Sequence, residues 1–213
     1  TSGMPFREVI WKPSATSSLL LPLSDETLMW EGLPAKTRNM IRKARKSGIV
    51  VSVNNSRSDI LYNQYRENMV RIGVGLHTKD FFDIILDEFR SQSKLLIAYL
   101  DGTPIASMLL LHGTEVAAYP IQNALFEYRN YAPIQLLTWE AMKQAWHKGA
   151  GFLDMGASRI GSNVFGAKKN FGATPLPLYQ ISLDLQQQKS FWTRSLHGLS
   201  GRIAAYASSN GPI

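Results

Sequence analysis

The sequence predicts a mixed α/β domain of the α+β kind, with a mostly antiparallel central sheet and helices on both faces. Three observations carry this. From residue 49 onward, segments of strand and helix character follow the order β-α-α-β-β-β-α-β-α-β. Asp101-Gly102 joins two apolar runs, the strongest hairpin signal in the chain. A long amphipathic helix opens at Pro133 and runs to Lys148, where Gly149 stops it.

The elements follow in order. Residues 1–33 look unlike the rest: Ser14 to Ser18 reads as a polar, linker-like stretch, and Ser24 as the N-cap of a short segment through Trp30, with Asp25 and Glu26 in its first turn. Pro34 opens a basic helix that Gly48 ends, and Ile49–Val53 is a β-branched strand. Ile60, Leu61, Tyr65, Asn68, Met69 and Ile72 keep helical period from Ser58 to Gly73. Thr78 caps the next helix, whose Phe81, Phe82, Ile85, Leu86 and Phe89 are expected to face inward. A meander follows: Leu95–Leu100, Pro104–Leu111 and Glu115–Ile121. Phe152–Met155 is a short buried strand, Gly161–Asn170 a short helix or loop, Leu176–Leu183 the last strand and Gln187–Ala207 a C-terminal helix. The domain reading is therefore 1–33 as an N-terminal extension or the stub of a preceding module, 34–186 as the folded domain, and 187–213 as a C-terminal helix and tail.

Composition bounds the function. The 213 residues suit one domain or one domain plus a tail, with 45% hydrophobic and 18% charged residues giving a globular balance. With no cysteine, the chain can form no disulfide framework, thiolate zinc site or cysteine nucleophile. Its longest nearly apolar run, Ile105 to Leu111, is far short of the ~20 residues that span a bilayer. No export signal is evident, so a cytoplasmic location is expected. The net charge of +7 is concentrated: Lys36, Arg38, Arg42, Lys43, Arg45 and Lys46 account for all but one of it, with no acidic residue among them. Arg38, Arg42 and Arg45 recur at i, i+4, i+7 and align on one helical face, with Met40, Ile41 and Ala44 toward the core. Such a face, with Lys43 beside it, can grip the phosphates of RNA, a nucleotide or a lipid headgroup, or can simply be solvated.

Several chemistries lack their residues. The four histidines have no metal-ligand spacing, so no metal site is expected. No Gly-x-Ser-x-Gly elbow or Gly-x-Gly-x-x-Gly loop occurs. Gly161-Ser-Asn-Val-Phe-Gly166-Ala-Lys168 approaches a P-loop, but Ala167 stands where the lysine is needed.

Four stretches carry a resemblance: Lys36-Thr-Arg38-Asn-Met-Ile-Arg42-Lys-Ala-Arg-Lys-Ser-Gly48, Ala132-Pro133-Ile-Gln-Leu-Leu-Thr-Trp139-Glu-Ala-Met, Gly149-Ala-Gly-Phe-Leu-Asp154-Met-Gly156 and Phe165-Gly-Ala-Lys168-Lys169-Asn-Phe171-Gly172. In this order, over residues 34–183, the chain resembles the FemAB branch of the GNAT acyltransferase superfamily, the peptidoglycan interpeptide-bridge transferases and their relatives. The resemblance implies a GNAT-like fold and a transferase that builds on a cell-wall peptidoglycan or surface-polysaccharide precursor. It also implies aminoacyl-tRNA as acyl donor, no permanently bound cofactor, and a second GNAT-like module preceding this one. Lys168 falls on the family's loop lysine, which implies that it steadies the oxyanion formed when an aminoacyl ester is attacked; Ala167 departs from the family's phenylalanine.

The place where ordinary GNAT enzymes hold the pyrophosphate of acetyl-CoA with a glycine loop reads Tyr128-Arg-Asn-Tyr131-Ala-Pro133. It has no glycine, and Pro133 has no amide hydrogen to give. Around these motifs the residues suggest further roles. Asp154, at a strand end, can accept a proton or pair with Arg159 to pin the loop. Arg159 and Ser162 suit a phosphate or carboxylate, with Lys169 beside Lys168. Tyr119, Gln122, Asn123 and Tyr128 are candidates to line a substrate cleft. Two alternatives stay open: a conventional acetyl-CoA-dependent N-acetyltransferase, and a non-catalytic RNA- or partner-binding module of the same shape.

Overall fold

A computed structural model describes residues 6–185. The chain divides into two compact units. One joins Thr1–Ser14 with Tyr179–Ile213; within it, residues 6–14 and 179–185 are described, and all are extended strand. The other, Ala15–Leu178, holds every feature discussed below. The expected helix at Gln187–Ala207 lies outside the described residues.

Strands β1 (Phe6–Pro22), β2 (Val50–Val53), β3 (Ser93–Leu100), β4 (Thr103–His112), β5 (Val116–Ala124), β6 (Phe152–Arg159) and β7 (Thr174–Leu185) form one sheet in the order β2-β3-β4-β5-β6-β1-β7. The helices are α1 (Glu26–Gly32), α2 (Ala35–Lys46), α3 (Ser58–Ile72), α4 (Lys79–Glu88), α5 (Pro133–His147) and α6 (Asn163–Lys169). From β2 onward the expected order holds. The linker-like Ser14–Ser18 is instead strand: Thr16, Ser17 and Ser18 pair with Arg159, Ser158 and Ala157 of β6. A polar composition misleads here because Ser17 finds a partner inside the sheet, donating its hydroxyl to the Leu176 carbonyl at 2.6 Å.

The sheet is covered on both faces, and β3 shows why. Its Leu96 and Ala98 join one core with Ile41 and Ala44 of α2 and Leu137, Trp139 and Ala141 of α5. Its Leu95 and Ile97 point the other way, to Ile60, Leu61, Tyr65, Phe82 and Leu86 of α3 and α4. A strand buried on both faces needs a continuous apolar run, which is what Leu95–Ala98 supplies. In α4 only Phe82 and Leu86 are fully inward; Phe81 and Phe89 are 37% and 43% exposed, because a ten-residue helix on a sheet buries one narrow stripe.

Local signals set the boundaries. Asp101 and Gly102 both adopt positive φ (49° and 79°), as a two-residue type I′ hairpin between β3 and β4 requires. The N-cap of α1 is Asp25 rather than Ser24; its carboxylate accepts from the amides of Thr27 and Leu28. Strand β5 pairs with β6 in parallel for three residues, Val116–Ala118 against Phe152–Asp154. Beyond them β5 stays with β4 while β6 stays with β1, which it pairs from Phe152 opposite Pro22 to Arg159 opposite Thr16. The strands part there, and the gap is where the candidate site lies.

Candidate active site

The parting of β5 and β6 opens a cavity of about 230 Å³. Tyr119 and Gln122 come from β5, Met155 from β6, Gln135 and Thr138 from α5, and Lys168 from α6. Lys168 is only 7% exposed. Its ammonium donates to the Gly156 carbonyl at 2.9 Å. Burial lowers its pKa below the ordinary lysine value, and nearby Asp154 opposes that shift.

The irregular bend of β6 that receives Lys168 is held by Asp154. One carboxylate oxygen accepts from the Gly156 amide at 2.7 Å and from the Ser18 hydroxyl at 2.8 Å. Gly156 sits at φ +76°, a conformation a side chain would strain, and this turn aims its carbonyl at Lys168. Asp154 does not pair with Arg159, which is exposed at the end of β6 and makes no ion pair among the described residues. The carboxylate thus holds the turn and, through it, the ammonium.

The other expected site residues divide. Tyr119 is 4% exposed, and burial, with Asp154 adding to it, pushes its phenol above the usual tyrosine range, so it stays a neutral hydroxyl. Ser162 N-caps α6, accepting from the Phe165 amide, a structural use. Lys169 is exposed, its ammonium 6.0 Å from the Phe165 ring centroid. Tyr128 packs half-buried against the core and lines neither this cavity nor the next.

The basic helix is largely committed to its neighbours. One Arg38 nitrogen donates to the carbonyls of Glu31 (2.8 Å) and Leu33 (2.7 Å), closing the C-terminal end of α1. Arg42 and Arg45 lie 5.3 and 5.9 Å from the Trp30 ring centroid, and Arg45 also pairs with Glu140 at 3.3 Å. Lys43 is exposed.

A second cavity, about 570 Å³, shares Gln122, Ile134, Gln135 and Val164 with the first. Asn123, 3% exposed, lines it together with three residues sequence reasoning passed over as ligands: Asn68, Arg71 and Arg129. The available signal was Asn68, a polar side chain on the inward stripe of α3, where it is 8% exposed.

A cleft formed where neighbouring strands part, with a buried ammonium on its wall, has the means to stabilise negative charge on a bound oxygen. The sequence places it more closely. Residues 35–165 match the family model of the acetyltransferase (GNAT) domain, and the chain belongs to that family. Its fold is shared with FemX (TM-score 0.69, 13% identity, 80% of this chain and 62% of that one). It is also shared with the DUF2156 C-terminal domain assigned to a lysylphosphatidylglycerol synthetase of Agrobacterium fabrum (TM-score 0.61, 15% identity, 82% and 61%). A tandem GNAT protein from the clavulanic acid biosynthesis pathway is a further match (TM-score 0.55, 11% identity, 79% and 53%). The likeness to these structures is one of fold, and the chain spans less than two thirds of the length of each of them. A search of curated proteins finds no significant match.

Proposed function

We propose that the protein transfers an acyl group, in the first reading an aminoacyl group from tRNA, to an amine on a cell-wall or surface-polysaccharide precursor. The observation that carries this is Lys168: a buried ammonium, fixed by one hydrogen bond to Gly156, on the wall of a cavity between parted strands. One of its three N–H groups is used by Gly156, and the others remain for a substrate oxygen.

In the transfer, a neutral acceptor amine attacks the ester carbonyl of the donor, and the C–N bond forms as the carbonyl oxygen becomes an oxyanion. Lys168 stabilises that oxyanion where the charge appears. The ester C–O bond then breaks, the donor's ribose hydroxyl leaves, and the amine's proton passes to the leaving oxygen or to solvent. Tyr119, Gln122 and Thr138 supply neutral polar contacts in the cavity that orient the two substrates. Asp154 serves as a positioning residue through Gly156 and Ser18. Lys169 and Arg159 are exposed cations near the cavity-lining helix, suited to steering an anionic substrate toward it.

A second reading, acetyl-CoA as donor, keeps the same oxyanion chemistry and differs at the phosphates. The sequence favours the first, since α5 begins at Pro133 and offers no glycine loop before it. The test is single-turnover transfer to an amine acceptor, run with aminoacyl-tRNA and with acetyl-CoA on wild type and Lys168→Ala. Transfer from aminoacyl-tRNA that Lys168→Ala abolishes supports the proposal. Transfer from neither donor, or transfer unaffected by the substitution, refutes it.

A further inference from the structure

The surroundings of Lys168 suit its neutral form as well as its charged one. The side chain is 7% exposed, yet it forms no ion pair among the described residues. Its hydrogen bond goes to an uncharged acceptor, the Gly156 carbonyl. A neutral amine can donate an N–H to that carbonyl just as an ammonium does, so loss of the proton leaves the side chain in place and frees a lone pair. Burial favours the neutral form, and Asp154 opposes it, with one carboxylate oxygen already taken up by the Gly156 amide and the Ser18 hydroxyl.

The cavity points that lone pair at an electrophile. Among the residues lining it, Lys168 alone carries an amine and none carries a carboxylate. Tyr119, the other titratable group on the wall, is kept a neutral phenol by its burial. An ammonium placed to hydrogen-bond a carbonyl oxygen lies one C=O bond, about 1.23 Å, from having the carbonyl carbon as its neighbour. That is close to the about 3–3.5 Å from which an amine attacks.

We propose that, when no acceptor amine is bound, Lys168 Nζ itself takes the acyl group from the donor, so that this lysine is a self-acylation site and the modified protein an inactive state. The idea rests on the transfer reading above. The ammonium first gives a proton to solvent. Nζ then attacks the acyl carbonyl carbon, the N–C bond forms, and the bond to the donor's ribose oxygen (the thiol sulfur, for a thioester donor) breaks. The second Nζ proton passes to the leaving atom, and the product is an Nε-acyl-lysine amide. The amide N–H still donates to Gly156, so the fold around it persists. The positive charge is gone and the acyl chain occupies the cavity, so no further oxyanion is stabilised. A bound acceptor amine competes for the same carbonyl carbon, which confines the modification to protein loaded with donor and starved of acceptor.

The test is intact-protein mass spectrometry with peptide mapping of the full chain, incubated with aminoacyl-tRNA or with acetyl-CoA and no acceptor. Wild type, Lys168→Arg and the exposed control Lys148→Arg are compared, and thermal melts check that each variant folds. The expected result is a single acyl group mapped to Lys168 in wild type and in Lys148→Arg, and none at this position in Lys168→Arg. Its rate should rise about tenfold per pH unit below the pKa of the lysine, because the neutral amine is the nucleophile. Adding glucosamine or a lysyl peptide as probe acceptor should slow it where transfer to that probe occurs. Transfer should be lost in proportion to the labelled fraction. Acylation spread over exposed lysines with Lys168 no faster than Lys148, or full transfer by protein labelled at Lys168, overturns the proposal. Transfer to a probe acceptor with Lys168 never labelled overturns this inference alone, and labelling of Lys168 without transfer to any acceptor overturns the transfer reading alone. Neither labelling nor transfer overturns both.

Discussion

Lys168 carries the catalytic reading, and its burial makes the reading testable. An ammonium held out of water is costly to charge, so its function must justify its place. Lys168→Met is expected to lower kcat by about 10²–10³-fold, the range for losing one oxyanion donor. The same variant should melt no lower than wild type, because it removes a desolvated charge and leaves an apolar chain of similar length. A structural lysine would give the opposite pair of results in kinetics and thermal denaturation. Since burial lowers the pKa of Lys168 below 10.5, activity should fall on the alkaline side at a lower pH than a free lysine would produce. Asp154 opposes that lowering, so in Asp154→Asn the alkaline limb of the kcat/KM profile should move to still lower pH. An unmoved limb would mean that the titrating group is not Lys168. The sequence located Lys168 and Asp154 as candidates, but only the fold reveals their link. Asp154 meets Ser18 across 136 residues and Lys168 through the Gly156 backbone, contacts that no local pattern encodes.

Among the elements, the basic helix α2 was read most directly and then redefined by packing. Its period was legible: Ile41 and Ala44 are fully buried while Arg42 and Arg45 lie outside. What the period cannot reveal is that α1 crosses there with Trp30, set edge-on to Trp139 of α5 at 5.1 Å, an apolar platform for Arg42 and Arg45. Arg38→Ala should therefore destabilise the fold by about 1–2 kcal/mol in urea denaturation, because carbonyls at the end of α1 lose a charged donor. An unchanged midpoint would return Arg38 to the role of a free phosphate ligand. Exposed Lys36, Lys43 and Lys46 remain the residues of this helix best placed to meet an anion. Strand β1 shows the converse problem. The serines of residues 14–18 carry no strand signature, and it is their place in the sheet beside β6 that makes this segment a strand.

At the scale of the molecule, the order of elements from β2 to β7 was legible because hairpin, capping and helix-period signals are local. The parting of β5 and β6 was not. It depends on which neighbour each strand keeps after Ala118 and Asp154, a choice made by the whole sheet. On the proposed reading, that parting leaves room for a donor and an acceptor beside Lys168. Donor binding should reflect the exposed cations: affinity for tRNA should fall with rising salt, by about 0.7 in log affinity per log salt for each phosphate contact.

The most direct measurement is a titration of the purified chain with tRNA carrying a non-hydrolysable aminoacyl group, with uncharged tRNA and with acetyl-CoA, at low and moderate salt. The account predicts salt-sensitive binding that prefers the aminoacylated tRNA, with the preference lost in Lys168→Ala. Tight, salt-insensitive binding of acetyl-CoA with no preference between charged and uncharged tRNA would contradict it.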